Sequence, residues 1–143
     1  ILNLEKTLTK LVDKAKIDTN QKSEIENRIQ YSSDINHFST CNLIIEAIVE
    51  DLTIKHKVFE SLENVVSENC ILASNTSSLS IASIGSVLKN AKRVVGIHFF
   101  NPAPLMPLVE IIPAVQTSSE TLELSVELIK SWGKTVVVCK DTP

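Results

Sequence analysis

A histidine and a glutamate twelve positions apart, His98 and Glu110, are the residues of this sequence best suited to proton transfer. Histidine titrates near neutral pH, so it can act as a general base or as a general acid. A carboxylate beside it fixes the tautomer of the ring and offers a counter-charge to the imidazolium. The pair therefore predicts acid–base catalysis. The alternative is that His98 is a core histidine satisfied by a backbone group, as is common within an apolar run.

The segment that carries His98 has the composition of an interior strand. Residues 93–99 are largely apolar and β-prone, which favours a strand covered on both faces. Pro102, Pro104 and Pro107 follow, and proline cannot continue a ladder of backbone hydrogen bonds. Catalytic groups of open α/β sheets gather at the carboxyl ends of the strands, so we expect His98 at such an end.

A second set of polar side chains follows another predicted strand. Residues 71–74 are a short apolar segment, and Asn-Thr-Ser-Ser at residues 75–78 comes directly after it. These hydroxyl and amide groups can bond a substrate oxygen. The alternative for any one of the hydroxyls is helix capping, because serine and threonine are preferred just before a helical pattern such as that of residues 79–88.

Helical and strand patterns alternate along the chain. Together they predict an α/β fold, with a mostly parallel sheet and helices on both of its faces. The predicted helices lie near residues 4–15, 18–29, 51–67, 79–88 and 118–133, and the predicted strands at 29–32, 43–48, 71–74, 93–99, 108–112 and 135–139.

Composition excludes several other classes of protein. The 143 residues, 43% of them hydrophobic, suffice for one sizeable core. The net charge of −3 comes from interspersed basic and acidic residues, so no nucleic-acid surface or polybasic membrane anchor is expected. No apolar run approaches the ~20 residues that a transmembrane helix needs.

The cysteines indicate neither a disulfide framework nor a metal site. Cys41, Cys70 and Cys139 are odd in number and widely separated, which predicts a reducing compartment. His37 and Cys41 have a tolerable ligand spacing, but no second pair completes a tetrahedral set, so no metal is expected. Cys70 and Cys139 adjoin apolar strands and are predicted to be small buried hydrophobes.

Four segments together resemble the 3-hydroxyacyl-CoA dehydrogenase family, in order and at the family's spacing. They are Ser-Asn-Thr-Ser-Ser at 74–78, Gly-Ile-His-Phe-Phe-Asn-Pro at 96–102, Leu-Val-Glu at 108–110 and Cys-Lys-Asp-Thr-Pro at 139–143. The resemblance implies an NAD-dependent oxidoreductase of fatty-acid metabolism. It would oxidise 3-hydroxyacyl-CoA to 3-oxoacyl-CoA, or run the reverse reduction.

The resemblance also implies roles for individual residues. His98 and Glu110 occupy the positions of the family's acid–base pair. Ser77 and Asn101 match two further active-site positions, which serve both catalysis and cofactor binding. Glu50 and Lys55 fall in the stretch that lines the NAD side of the site. For Lys55 the alternative is a solvated surface lysine paired with Asp51, and a surface position is equally open for Glu50.

One signature of dinucleotide-binding domains is missing from this sequence. Such a domain normally begins with a strand and a Gly-x-Gly-x-x-Gly turn, which the three glycines, Gly85, Gly96 and Gly133, cannot form. The resemblance places residue 1 just after the family's second strand. It implies that residues 1–143 are a partial Rossmann-like NAD-binding domain without its first strand, its glycine loop and the helical domain that follows. We expect this segment alone to be inactive.

The resemblance extends to partners and location. It implies an acyl-CoA substrate, a homodimer formed through the helical domain, and the bacterial cytoplasm, with the mitochondrial matrix as the alternative. Two other interpretations stay open. The segment can belong to a multifunctional fatty-acid oxidation protein, or to a non-catalytic, crystallin-like relative. Retention of Ser77, His98, Asn101 and Glu110 together favours an enzyme.

Overall fold

The computed structural model describes residues 2–142, with side chains from residue 4, and these residues form two compact units. The first unit extends to Ser33 and contains the helices α1 (Leu2–Asp13) and α2 (Thr19–Asn27). Helix α2 begins where the sequence predicts. The Asp18 carboxylate accepts a hydrogen bond from the Gln21 amide, and the Gln21 side chain accepts one from the Asp18 amide. This reciprocal capping satisfies two backbone donors that the helix leaves unpaired.

The strand predicted for residues 29–32 is wrong. This segment has no regular secondary structure and is paired with no strand among the described residues 2–142. Ile29 and Tyr31, the large apolar and aromatic side chains of this segment, are both exposed. An apolar–polar alternation produces a strand only where a neighbouring strand supplies hydrogen bonds and a core receives the apolar side chains.

The second unit begins at Asp34 and is built on a five-stranded sheet whose strands lie in chain order. Strands β1, β2 and β3 run parallel, β4 runs antiparallel to β3, and β5 runs parallel to β4. The predicted mostly parallel sheet is therefore confirmed, with one antiparallel pairing that the sequence pattern did not indicate. The strands are β1 (Leu43–Glu46), β2 (Ile71–Ser74), β3 (Val94–Phe99), β4 (Leu108–Pro113) and β5 (Thr135–Val138).

Helices cover both faces of this sheet, as predicted. They are α3 (Leu52–Glu63), α4 (Ile81–Gly85) and α5 (Ser119–Ser131), with single 3-10 turns at Ile35–Phe38 and Ala91–Arg93. Successive side chains of β2 point to opposite faces: Leu72 packs in one core with α3 and α4, whereas Ile71 and Ala73 pack in a second core with Ile129 of α5. Among the described residues, no helix has the length and apolar character needed to cross a membrane.

Gly96 brings α4 into direct contact with β3. A Cβ atom at this position would lie 2.9 Å from Ile112 Cβ and 2.9 Å from Ile81 Cδ1, closer than real contacts allow. Glycine is therefore the residue that lets the helix approach the strand this closely. The approach holds the loop before α4 beside the end of β3, where His98 lies.

Candidate active site

His98 and Glu110 face each other across the antiparallel pair of strands. They are direct register partners of β3 and β4, and Nδ1 of His98 lies 2.8 Å from Oε2 of Glu110. Directly opposite side chains of an antiparallel pair are held within contact distance by the ladder itself. The His98 ring also packs against Phe100, with the ring centroids 4.9 Å apart. The partner of His98 is thus a carboxylate rather than the backbone group of the alternative interpretation.

The pair lies in the wall of a cleft of about 320 Å³. Three segments enclose this cleft: residues 76–81 after β2, His98 and Glu110 with Ile112 on the sheet, and residues 139–142 after β5. The His98 side chain is 19% exposed, and its Nε2 atom makes no hydrogen bond to another described residue. One ring nitrogen is therefore held by Glu110, and the other is available for a group that enters the cleft.

Ser77 lies in the same cleft, on the loop that leaves β2. Its backbone amide donates to Glu50 Oε1 at 3.1 Å, and its side chain is exposed. The capping interpretation is wrong for this residue, because the N-cap of α4 is Ser80, whose hydroxyl accepts from the Ser83 amide at 3.2 Å. The Ser77 hydroxyl is thus not used to begin the helix.

Asn75 ties this loop to the ends of three strands. Its amide donates to the Glu46 carbonyl at 2.8 Å, and its side-chain Oδ1 accepts from the Phe99 amide at 2.8 Å. Asn75 therefore joins the carboxyl ends of β1, β2 and β3 at one edge of the sheet. Phe99 directly follows His98, so this bond also fixes the backbone next to the histidine.

Asn101 is a predicted site residue that the structure does not bring to the cleft, and Glu50 and Lys55 do not line it either. Asn101 is exposed, two residues beyond the end of β3, and it does not line the cleft that His98, Glu110 and Ser77 share. It lies in the connection that follows β3, three residues after His98 and directly before Pro102. No group of three or more metal-ligating side chains occurs among the residues that the structure describes.

Lys55 is buried between two carboxylates, so the surface-lysine alternative is wrong. Its side chain is 1% exposed, and Nζ lies 2.8 and 2.9 Å from the oxygens of Glu46 and 3.2 Å from Oε2 of Glu50. Asp51, the partner expected in that alternative, instead caps α3 by accepting from the Ile54 amide at 3.0 Å. Helix α3 turns the face that carries Lys55 toward the end of β1, where Glu46 lies.

Glu46 begins the stretch that the resemblance places on the NAD side, but no role was predicted for it from the sequence. It ends β1 with its carboxylate buried, and it accepts hydrogen bonds from the Ile48 amide at 2.6 Å and the Ser74 hydroxyl at 2.7 Å besides those from Lys55. A buried carboxylate is tolerated only when paired and hydrogen-bonded in this way. The available signal was a glutamate that ends the apolar run Leu43–Glu46, since such a charge needs a partner.

Glu50 links the buried cluster of Glu46 and Lys55 to the serine loop, residues 75–78 after β2. Besides the Ser77 amide and the Lys55 ammonium, its carboxylate accepts hydrogen bonds from the hydroxyls of Thr76 and Ser78. Burial acts to raise the pKa of Glu50, but the hydrogen bonds from Thr76, Lys55 and Ser77 outweigh it and lower the pKa to about 2. The side chain is 37% exposed, so Glu50 presents a permanent negative charge to solvent.

The depressed pKa of Glu50 predicts a pH-dependent contribution to stability. The native pKa of about 2 lies below the ordinary glutamate pKa of 4.5, so the native state binds fewer protons than the unfolded chain between these values. The contribution is therefore complete above pH 4.5 and is lost as the pH falls toward 2. We expect the stability difference between wild type and Glu50→Gln, measured by urea unfolding, to shrink through this window. Glu60→Gln, exposed on α3, is the control and should show no such trend.

Cys139 behaves differently from the predicted buried hydrophobe. Cys70 is fully buried as expected, but Cys139 is half-buried in the cleft wall and its Sγ lies 3.7 Å from Oε1 of Glu110. Burial, the charge of Glu110 and the hydrogen bond to it raise the pKa of the Cys139 thiol. The thiol therefore stays protonated at neutral pH.

Comparison with known proteins agrees with the resemblance. The family model described as 3-hydroxyacyl-CoA dehydrogenase, NAD binding domain, matches residues 1–142. A probable 3-hydroxybutyryl-CoA dehydrogenase of Deinococcus radiodurans is 41% identical over 98% of the chain, and the 3-hydroxybutyryl-CoA dehydrogenase of Clostridioides difficile is 44% identical over 98%. A crystal structure of 3-hydroxybutyryl-CoA dehydrogenase from Escherichia coli K12 superimposes with a TM-score of 0.96 at 38% identity, covering 99% of this chain.

These matches cover only part of the relatives. The chain spans 50% of the length of each of the two curated relatives and 30% of the solved Escherichia coli chain. Over that span the family model and both curated relatives indicate the same family. The similarity covers the strands and the loop that build the cleft. The chain therefore belongs to the 3-hydroxyacyl-CoA dehydrogenase family, as an NAD-binding domain.

Proposed function

We propose that the full-length protein oxidises 3-hydroxyacyl-CoA to 3-oxoacyl-CoA with NAD, or runs the reverse reduction, in fatty-acid metabolism. The observation that carries the proposal is the His98–Glu110 pair in a cleft wall, with Nδ1 and Oε2 2.8 Å apart and Nε2 without a partner among the residues that the structure describes. A histidine oriented by a carboxylate, with its second nitrogen open to the substrate side, is an arrangement suited to proton transfer.

His98 acts as the proton acceptor in the direction of oxidation. Its Nδ1–H donates to Glu110, which leaves the Nε2 lone pair to take the proton of the substrate hydroxyl. Glu110 stabilises the imidazolium that results and keeps the ring in one orientation. In the direction of reduction the protonated His98 returns this proton to the substrate oxygen.

Ser77 and Asn101 hold the substrate oxygen near His98 in this proposal. Ser77 is supported by its place in the same cleft and by a hydroxyl that no helix cap requires. Asn101 follows His98 by three residues, just beyond the end of β3, and its role in the proposal rests on the family resemblance. A hydrogen bond to the oxygen that gains charge during the reaction contributes through electrostatic stabilisation.

Glu50 and Lys55 form the cofactor side of the proposed site. The ionised, part-exposed carboxylate of Glu50 is a hydrogen-bond acceptor for the hydroxyl and amide donors of NAD, so its chemistry fits this cofactor. Bound NAD supplies the acceptor for the hydride that leaves the substrate carbon. Lys55 is buried, and we propose that it contributes by holding Glu50 rather than by touching the ligand.

The proposal includes the setting of the reaction. The substrate partner is an acyl-CoA, and residues 1–143 are the partial NAD-binding domain. The protein assembles as a homodimer through a helical domain. Its compartment is the bacterial cytoplasm. The similarity to two 3-hydroxybutyryl-CoA dehydrogenases supports a short acyl chain. The grouping of Ser77, His98 and Glu110 in one cleft supports an enzyme over a crystallin-like structural relative.

The test is the formation of NADH by the full-length protein with 3-hydroxybutyryl-CoA, followed by absorbance at saturating NAD. We expect substrate-dependent NADH formation, and acetoacetyl-CoA should be reduced when NADH is supplied. An absence of turnover in both directions by the folded full-length protein would reject the proposed activity.

Replacing Glu110 by glutamine is expected to shift the pH dependence of this reaction. Glutamine keeps the shape of the side chain but removes the charge that stabilises the imidazolium. The acidic limb of the pH–rate profile for oxidation should therefore move to lower pH, with a lower maximal rate. Glu123→Gln, which changes an exposed glutamate on α5, is the control. An unshifted profile with an unaltered rate would show that the two groups are not coupled.

A further inference from the structure

We infer that Cys139 is a positioning residue for the acid–base pair: its thiol donates to the Glu110 oxygen that His98 leaves free. The inference rests on the proposed function of His98 and Glu110. Cys139 lies outside the proposed catalytic set. Its hydrogen bond would fix the orientation of the Glu110 carboxylate and stabilise part of its negative charge.

The two oxygens of Glu110 have different partners. Oε2 lies 2.8 Å from Nδ1 of His98, and Oε1 lies 3.7 Å from Sγ of Cys139. The Glu110 side chain is 31% exposed, so packing alone does not hold it. Contacts on both oxygens, from β3 on one side and from the segment after β5 on the other, define the plane of the carboxylate.

The backbone on both sides of Cys139 is anchored. Its amide donates to the Ile111 carbonyl at 2.9 Å, which continues the pairing of β5 with β4 by one residue. Two residues later, the Asp141 carboxylate accepts from the amides of Ile81 and Ala82 at 2.8 Å each. The thiol is thus held in place by the sheet before it and by α4 after it.

The thiol acts as a donor because it stays protonated. Burial and the charge of Glu110 both raise the pKa of Cys139, since a thiolate beside a carboxylate would place two negative charges in contact. The other charged groups that line this part of the cleft are Lys140, which is exposed, and Asp141, whose oxygens are occupied by α4. Cys139 is therefore the neutral donor that faces Glu110 from the segment after β5.

Loss of this donor should change the protonation of His98 in a defined direction. A carboxylate that accepts no hydrogen bond on its second oxygen keeps more of its charge available and attracts the imidazolium more strongly. In Cys139→Ala the acidic limb of the pH–rate profile should move to higher pH, opposite to the shift expected for Glu110→Gln. A thiol is a weak donor, so we expect a shift of about half a pH unit. Cys139→Ser keeps a donor, so the acidic limb of its pH–rate profile should lie at the wild-type position.

The experiment compares pH–rate profiles of the full-length wild type with Cys139→Ala, Cys139→Val and Cys139→Ser, each checked for folding by thermal unfolding. Cys139→Val also removes the donor, but its side chain is larger than that of alanine. A folding defect in the alanine variant alone therefore does not decide the result. Shifts to higher pH in the donor-less variants, with recovery in the serine variant, support the inference. A folded donor-less variant whose profile superimposes on the wild type overturns it, as does a serine variant that shifts like alanine.

A His98→Gln control separates this inference from the proposed function. Normal turnover in His98→Gln would reject the acid–base role itself, whatever the cysteine variants show. Loss of turnover in His98→Gln together with unmoved profiles in the folded cysteine variants would leave that role intact and reject only the role of Cys139.

Discussion

His98→Gln in the full-length protein is expected to lower the rate of 3-hydroxyacyl-CoA oxidation by at least about 100-fold, the low end for general acid–base catalysis. Glutamine can still hydrogen-bond to Glu110, but it has no basic atom to take the substrate proton. The affinity for NAD should barely change, because the proposed cofactor side is assigned to Glu50, held by Lys55, and not to His98. The measurements are initial rates of NADH formation and a titration of NADH fluorescence.

His56→Gln is the matched control for this substitution. The His56 ring bonds to the Ser83 carbonyl at 2.8 Å, and the residue does not line the cleft. His56→Gln should lower the stability of the protein but leave the catalytic rate of each folded molecule unchanged. Near-normal turnover of His98→Gln would remove His98 from catalysis and leave it a structural partner of Glu110.

The second large effect concerns stability. Lys55→Met is expected to lower the free energy of unfolding by about 3–5 kcal/mol, the range for removing one partner of a buried ion pair. Glu46 would keep a buried carboxylate without its counter-charge, and Glu50 would lose the cation that both groups share. Denaturant unfolding of the full-length protein measures the loss, with Lys57→Met, an exposed position on the same helix, as the control.

A second substitution tests the cause of that loss. Adding Glu46→Gln to Lys55→Met removes the uncompensated charge, so the double variant should recover part of the lost stability. A stability loss of less than about 0.5 kcal/mol in Lys55→Met, the range of ordinary surface substitutions, would contradict the burial of this lysine.

The sequence predicted the local elements of the second unit well, because their patterns are short and strong. The four residues predicted for β2 match Ile71–Ser74, and β3 begins one residue later than predicted. The direction of β4 was missed, although a signal was present. The connection at residues 100–107 is shorter than the dozen or more residues that a parallel crossover needs, so an antiparallel neighbour was the consistent expectation.

The site was predictable where residue type alone limits the role, and not where distant segments meet. The resemblance paired His98 with Glu110 twelve positions later, and the sheet register brings the two side chains together. The burial of Lys55 depends on Glu46, and the contact of Cys139 depends on Glu110 29 positions earlier. Such pairings arise when whole helices and strands pack together, so no local sequence pattern predicts them.

The most direct test of the proposed proton transfer is a structure of the full-length protein with NAD and a bound 3-hydroxyacyl-CoA. We expect the oxygen on the reacting carbon within about 2.6–3.2 Å of Nε2 of His98, the reach of a general base, with the Ser77 hydroxyl on the same oxygen. A complex in which this oxygen lies outside the cleft of His98 and Ser77, with another ionisable side chain in contact with it, would contradict the assignment of His98 as the proton acceptor.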